Sequence, residues 1–110
     1  MTTMTTSPTS MTAAEVLRRA ADYIEEHGWR QQVLGCNGGP RCAVGAMCSA
    51  VGKSGIPLSG DCPEMFAAWD ALQASLDAFS IAQWNDHRDR TATEVISTLR
   101  RVADELEAGR

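Results

Sequence analysis

Apolar side chains return every three or four positions in three long stretches of this chain and crowd together without periodicity in a fourth. In the first stretch Val16, Leu17, Ala20 and Ile24, with the neighbouring Tyr23, share one face of a helix, and Arg18, Arg19, Glu25 and Glu26 are left for water. Thr12 and Glu15 frame its start as a capping box, in which the hydroxyl oxygen takes a free backbone N–H and the carboxylate reaches back to the cap. Gly28 ends the run. The final stretch repeats the device: Thr91 and Glu94 open it, Val95, Ile96, Leu99, Val102, Ala103 and Leu106 form its apolar face, and Gly109 closes it. Between them Met65, Trp69, Leu72, Leu76 and Phe79 follow at spacings of four, three, four and three, the clearest stripe in the chain, with Asp61, Pro63 and Glu64 marking its start.

The crowded stretch, Cys42 to Val51, is small or apolar on every side, as suits a short helix buried all round. Gly45 and Ser49, one turn apart, would let another helix approach closely. Before it, Trp29 to Leu34 has extended character. The following CNGGPR signals a turn, because Asn-Gly favours positive φ and proline fixes the exit. Gly52 to Gly60 reads as a loop. The pattern therefore predicts a mainly α fold: one compact four-helix domain over 12–109, with helices near 12–27, 43–51, 62–79 and 92–108, a short β-hairpin or an irregular loop between helices 1 and 2, and a disordered tail over 1–11.

Composition narrows the classes. A chain of 110 residues makes one domain and hides roughly 65% of the surface that it exposes unfolded, enough for a core without staples. The apolar share of 44% and charged share of 22% are those of an ordinary globular protein. A net charge of −4 with no basic run lacks the electrostatic footprint of nucleic-acid binding. No apolar stretch is long enough for a membrane span, and the first ten residues have neither the basic nor the apolar region of a secretory leader. A cytoplasmic protein is expected, with Cys36, Cys42, Cys48 and Cys62 as thiols.

Those thiols make a poor metal site. Zinc knuckles use close pairs, whereas five, five and thirteen residues separate these cysteines, and Cys42 and Cys48 fall on different faces of their helix. His27 and His87 add ligand atoms but no recognised spacing, so no metal or cofactor is expected. Cys42 is also a candidate nucleophile, since it precedes a helix and follows Arg41, both of which favour a thiolate. A base would have to come from His87 or His27. A small cap or core residue explains Cys42 more simply. The CNGGPR loop lacks the Gly-Lys-Ser/Thr ending of a phosphate loop, and Gly52-Lys53-Ser54 lacks the upstream glycines.

The polar segment WNDHRDRT admits two readings. As a hinge, Trp84 caps the core while Asn85 and Asp86 satisfy free backbone groups at a helix junction and an arginine pairs with an acidic neighbour; this accounts for most of the segment with no ligand. As a surface, Trp84, Asn85, Asp86, His87, Arg88 and Arg90 form an exposed partner-binding patch with an aromatic anchor and an arginine fork. Trp29 and Gln31 would join it if the first and last helices pack together.

Four blocks in order, GWRQ at 28–31, CAVGAM at 42–47, IAQWND at 81–86 and RTATEVISTLRRVAD at 90–104, resemble a family of uncharacterised small proteins of actinobacteria and their phages. The pattern there is Gly-Trp-x-Gln, Cys-x-x-Gly-Ala, Trp-Asn-Asp and Arg-Thr-x-x-Glu-Val. The likeness spans about residues 12–106 and implies an actinobacterial or actinophage origin, but no reaction, cofactor or catalytic residue. Cys36, Cys48 and Cys62 lie outside the blocks, and the stretch from Trp29 to Cys42 is short for the pattern. The expectation is a non-enzymatic accessory or regulatory protein that binds another protein, such as a bacterial host factor, or itself. The alternative is a thiol- or metal-dependent module centred on Cys42 with His87 or His27.

Overall fold

A computed structural model describes residues 11–57 and 60–109. Among these described residues five helices follow one another: α1 (Ala13–His27), α2 (Ala43–Ala50), α3 (Pro63–Ser75), α4 (Ile81–Asn85) and α5 (Ala92–Ala108). The capping box of α1 forms in full, with Thr12 Oγ1 accepting from Glu15 N at 3.1 Å and Glu15 Oε1 accepting from Thr12 N at 2.8 Å. That of α5 forms by half. Thr91 Oγ1 accepts from Glu94 N at 3.2 Å, but the Glu94 carboxylate turns to Arg90 at 2.6 Å.

The helix α1 lies at the centre and packs against α5, α2 and α3. Its buried residues Val16, Leu17, Ala20, Ala21 and Ile24 meet Val95, Leu99, Val102 and Ala103 of α5, and ion pairs border the seam. Arg18 reaches Asp104 at 2.6 Å and Glu107 at 2.7 Å; Arg100 reaches Asp22 at 2.8 Å and Glu25 at 2.9 Å. Met65 and Leu72 of α3 complete the core together with α2, whose residues 43–48 are all buried as its composition predicts. Gly45 serves a close approach of a different kind from the one expected. A β-carbon there would stand 2.4 Å from the Leu34 carbonyl oxygen and 2.8 Å from Arg41 Nε, so the glycine admits the preceding loop and its arginine rather than a helix.

Two expected elements differ. The long stripe does not continue to Phe79: α3 stops at Ser75, Leu76 is extended, and Phe79 is 89% exposed. Polar groups cut the helix there. Gln73 Nε2 donates to the Ala78 carbonyl, Ser80 Oγ caps a new short helix by accepting from Gln83 N, and Gln83 Oε1 accepts from Phe79 N at 2.9 Å. The count among the described residues is thus five helices rather than four.

The hairpin between α1 and α2 does not form either; isolated bridges join Arg41 to Trp29 and to Gly35, with no sheet among the described residues. Gln32 takes φ +76°, which breaks the alternation that a strand requires. The CNGGPR loop is instead tied to α1, where the Tyr23 hydroxyl accepts from Gly38 N at 2.8 Å and donates to the Gly39 carbonyl at 2.6 Å. Of the tail expected over 1–11, residues 1–10 lie outside the described residues; Met11 packs against the core. No helix of the described residues is long and apolar enough to cross a membrane.

Candidate functional site

Asn85, the last residue of α4, is 1% exposed and joins three parts of the chain. Its Oδ1 accepts from the Trp29 indole at 2.7 Å and from Ala43 N, the first amide of α2, at 3.0 Å. Its Nδ2 donates to the Arg30 carbonyl at 3.2 Å and to Asp86 Oδ1 at 3.1 Å. Gln31 adds two bonds from Nε2, to the carbonyls of Asn85 at 3.1 Å and His87 at 2.8 Å. Asp86 Oδ1 accepts from Gln32 N at 2.7 Å, which holds the backbone of the strained Gln32 in place. The Trp-Arg-Gln and Trp-Asn-Asp blocks are therefore two halves of one clasp, and the adjacency of Trp29 and Gln31 to the junction arises through these bonds.

The rest of the polar segment divides by depth. Trp84 is only 7% exposed, so the indole is a core side chain and not an exposed anchor. The guanidinium of Arg90 covers it at 4.5 Å from the ring centroid, donates from Nε to the Trp84 carbonyl at 2.9 Å, and pairs with Glu94. His87 and Arg88 are exposed.

Arg41, wholly buried, is a second organising residue. Its guanidinium donates to Ser49 Oγ at 2.8 Å and to the carbonyls of Leu34 (3.4 Å), Lys53 (3.4 Å) and Ser54 (2.5 Å). Five donors in a rigid fork suit this set of neutral acceptors, which sew three loop positions onto α2. The charge also favours a nearby thiolate, but at Cys48 burial outweighs it and pushes the thiol up to about 11.

Beside the clasp lies a cleft of about 230 Å³ with a mainly apolar lining. One wall is the loop Gln32–Leu34 with Cys42 and Val44 from the start of α2. The other is Trp69 of α3 with Ser80, Ile81 and Ala82, and Asn85 and Asp86 form its polar end; Ile56 closes the rim. Cys42 is half-buried in this wall as the N-cap of α2, its sulfur accepting from Gly45 N at 3.4 Å. Neither histidine lines the cleft: the His27 ring tilts against Tyr23 at 4.4 Å, and His87 Nδ1 accepts from Asp89 N at 3.1 Å. Among the described residues no three His, Cys, Asp or Glu side chains are grouped to hold a metal ion.

A family model matches residues 8–105, a span that takes in the clasp and every wall of the cleft. The chain belongs to a family of unknown function, DUF6197. Nothing among curated proteins or solved structures matches it. Within this DUF6197 chain, reading by sequence brought out Asn85, Asp86 and Cys42 but missed Arg41, Val33, Ile56 and the cleft-facing Trp69. Trp69 falls in a helical stripe that reads as core. The signal for Arg41 is its segment: residues 28–53 hold three basic side chains and no acid, so this arginine, once buried, has only carbonyls and hydroxyls to bind.

Proposed function

We propose that this DUF6197 protein is a small non-enzymatic binding module whose cleft receives an apolar side chain presented by another protein. One observation carries the reading: two of the large hydrophobic side chains exposed among the described residues, Val33 at 49% and Ile56 at 52%, line that cleft. Exposed apolar side chains around a concave apolar patch mark an interaction surface, and a pocket with a polar end orients what enters. Asp86 stands at that polar end, and the exposed His87 and Arg88 continue the surface beyond it. The partner-binding role thus passes from the outer face of Trp84 to the cleft that the Trp84–Asp86 segment supports. The likeness of the four sequence blocks to actinobacterial and actinophage proteins makes a cytoplasmic bacterial protein the first partner to seek.

The test is affinity capture on immobilised protein with quantitative mass spectrometry, comparing wild type with Val33→Asp plus Ile56→Asp. Both sites are half-exposed, so the fold tolerates the change, and circular dichroism checks it. A partner retained by wild type and at least tenfold depleted on the double variant is expected. Equal retention on both would sink the reading.

A second reading rests on Cys42, whose thiol stands in the cleft wall at a helix N-terminus: a thiol-dependent module that acts without His27 or His87, neither of which lines the cleft. Cys42→Ser separates the two. Serine keeps the cap, so partner capture should be unchanged under the first reading and lost under the second.

A further inference from the structure

One formal charge stands in the lining of the cleft. Every lining residue is apolar or neutral except Asp86, and none is Lys, Arg or His. Asn85, the other member of the polar end, has both side-chain atoms engaged within the clasp, Oδ1 accepting two bonds and Nδ2 donating two. Asp86 is different. The bonds that it accepts, from Gln32 N at 2.7 Å and Asn85 Nδ2 at 3.1 Å, both fall on Oδ1. Oδ2 receives no hydrogen bond from the described residues, and no cationic side chain among them pairs with it: Arg90 is taken by the Trp84 carbonyl and Glu94, and the remaining ion pairs lie on α1 and α5. The cleft therefore ends in a half-buried carboxylate with an open oxygen. Its size is equally selective. About 230 Å³ exceeds the ~150 Å³ cavity that accommodates benzene and falls short of the ~300–1,000 Å³ of pockets for drug-sized ligands, so it takes one large side chain rather than a nucleotide or a cofactor.

We infer that the partner segment entering the cleft carries a lysine or arginine beside its apolar side chain, and that this cation binds Asp86 Oδ2 while the apolar group lies among Val33, Ile56 and Trp69. The inference rests on the cleft being a protein-docking surface and names the chemistry of its occupant. Apolar burial supplies affinity that many hydrophobic side chains could give. The charge supplies selection, because an acidic residue in the cation's place would meet Asp86 with like charge. Held through Oδ1 by Gln32 N and Asn85, the carboxylate is fixed before a partner arrives, which removes part of the ordering cost of binding. Water screens a half-buried carboxylate less than a fully exposed one, so the pair gains more than a surface ion pair does. The net charge of −4 on the chain draws basic segments in the same sense.

Selection from a random peptide display library on the full-length protein tests this, run in parallel on wild type, Asp86→Asn and Val33→Asp plus Ile56→Asp. Asp86→Asn keeps an oxygen to accept from Gln32 N and Asn85 and removes only the charge, with circular dichroism and urea unfolding to verify the fold. Wild type is expected to enrich peptides that join a large apolar residue to a neighbouring lysine or arginine, and Asp86→Asn to enrich the apolar residue without the basic one. A synthetic peptide of the winning sequence should bind Asp86→Asn about tenfold more weakly, as suits a lost charge-assisted hydrogen bond. Added salt should weaken its binding to wild type and leave its binding to Asp86→Asn nearly flat. An apolar residue enriched on wild type with no basic neighbour overturns the inference and leaves the docking reading standing. A basic residue that persists in the Asp86→Asn selection also overturns it, because the cation then binds elsewhere. If no apolar residue is enriched, or Val33→Asp plus Ile56→Asp selects the same peptides as wild type, the docking reading fails and the inference falls with it.

Discussion

At the scale of single residues, the weight of this structure rests on two buried polar side chains. Asn85 is worth more than an average hydrogen-bonding residue because it satisfies groups on three separate segments at once. Asn85→Ala leaves the Trp29 indole N–H and the Ala43 amide without their acceptor in a buried site. Each orphaned donor costs about 1–3 kcal/mol, so a loss of about 2–6 kcal/mol in urea unfolding is expected, and a loss within error of zero would show that the clasp is dispensable. Cys48 gives a pH signature. Its thiol is raised by burial from an ordinary 9.0 to about 11, so the folded state holds the proton where the unfolded state releases it. The stabilisation is complete below about pH 9 and is lost as pH rises through about pH 11, the loss amounting to about 2–3 kcal/mol. Unfolding measured across that window in wild type and Cys48→Ala should show the steeper loss in wild type; parallel curves would remove the buried thiol as its cause.

At the scale of elements, helix ends decide the architecture more than helix faces do. The boundaries of α1 and α5 follow from amphipathic faces set between local stop and start signals, and both were readable in advance. The third stripe carries equally good periodicity through Phe79, yet its helix breaks at Ser75. Ser80 starts α4 afresh, and this short helix delivers Trp84 and Asn85 to the core and Ile81 to the cleft. Removing the cap by Ser80→Ala is expected to cost about 1 kcal/mol in urea unfolding and to loosen the wall of the cleft, reported by faster amide exchange at Gln83 and Trp84. Unchanged exchange there would mean that packing alone holds α4. Cys42, the cap of α2, is the parallel case in which a sulfur does the work usually given to oxygen.

At the scale of the whole molecule, one core serves every element, with α1 in contact with three other helices. The ion pairs that span α1 and α5 lie at the water boundary, where such pairs contribute little, typically about 0–1 kcal/mol each, so they orient the two helices rather than carry their association. The apolar seam beneath them carries it. With α1, α2 and α5 committed to that core, the loops on either side of α2 are left to carry the exposed Val33 and Ile56. Both side chains line the cleft, which is why the proposed interaction is placed there.

The sequence alone determined what depends on neighbours within a turn or two: the helical class, the capped ends of α1 and α5, the buried character of α2 and the absence of a recognisable metal spacing. It also brought together the residues of the clasp as candidates, because Trp29, Gln31, Asn85 and Asp86 are polar or aromatic groups set beside helix ends. Only the tertiary structure decided how they are used. Gln32 leaves the strand conformation because Asp86, more than fifty residues away, binds its amide. Phe79 leaves the helical stripe because Gln73 and Gln83 satisfy the backbone of a turn instead. The cleft exists because Arg41 and Asn85 fix loops that have no periodicity of their own. Periodicity reports which face of an element is apolar, whereas a concave site depends on hydrogen bonds between elements distant in sequence, and no local pattern encodes those.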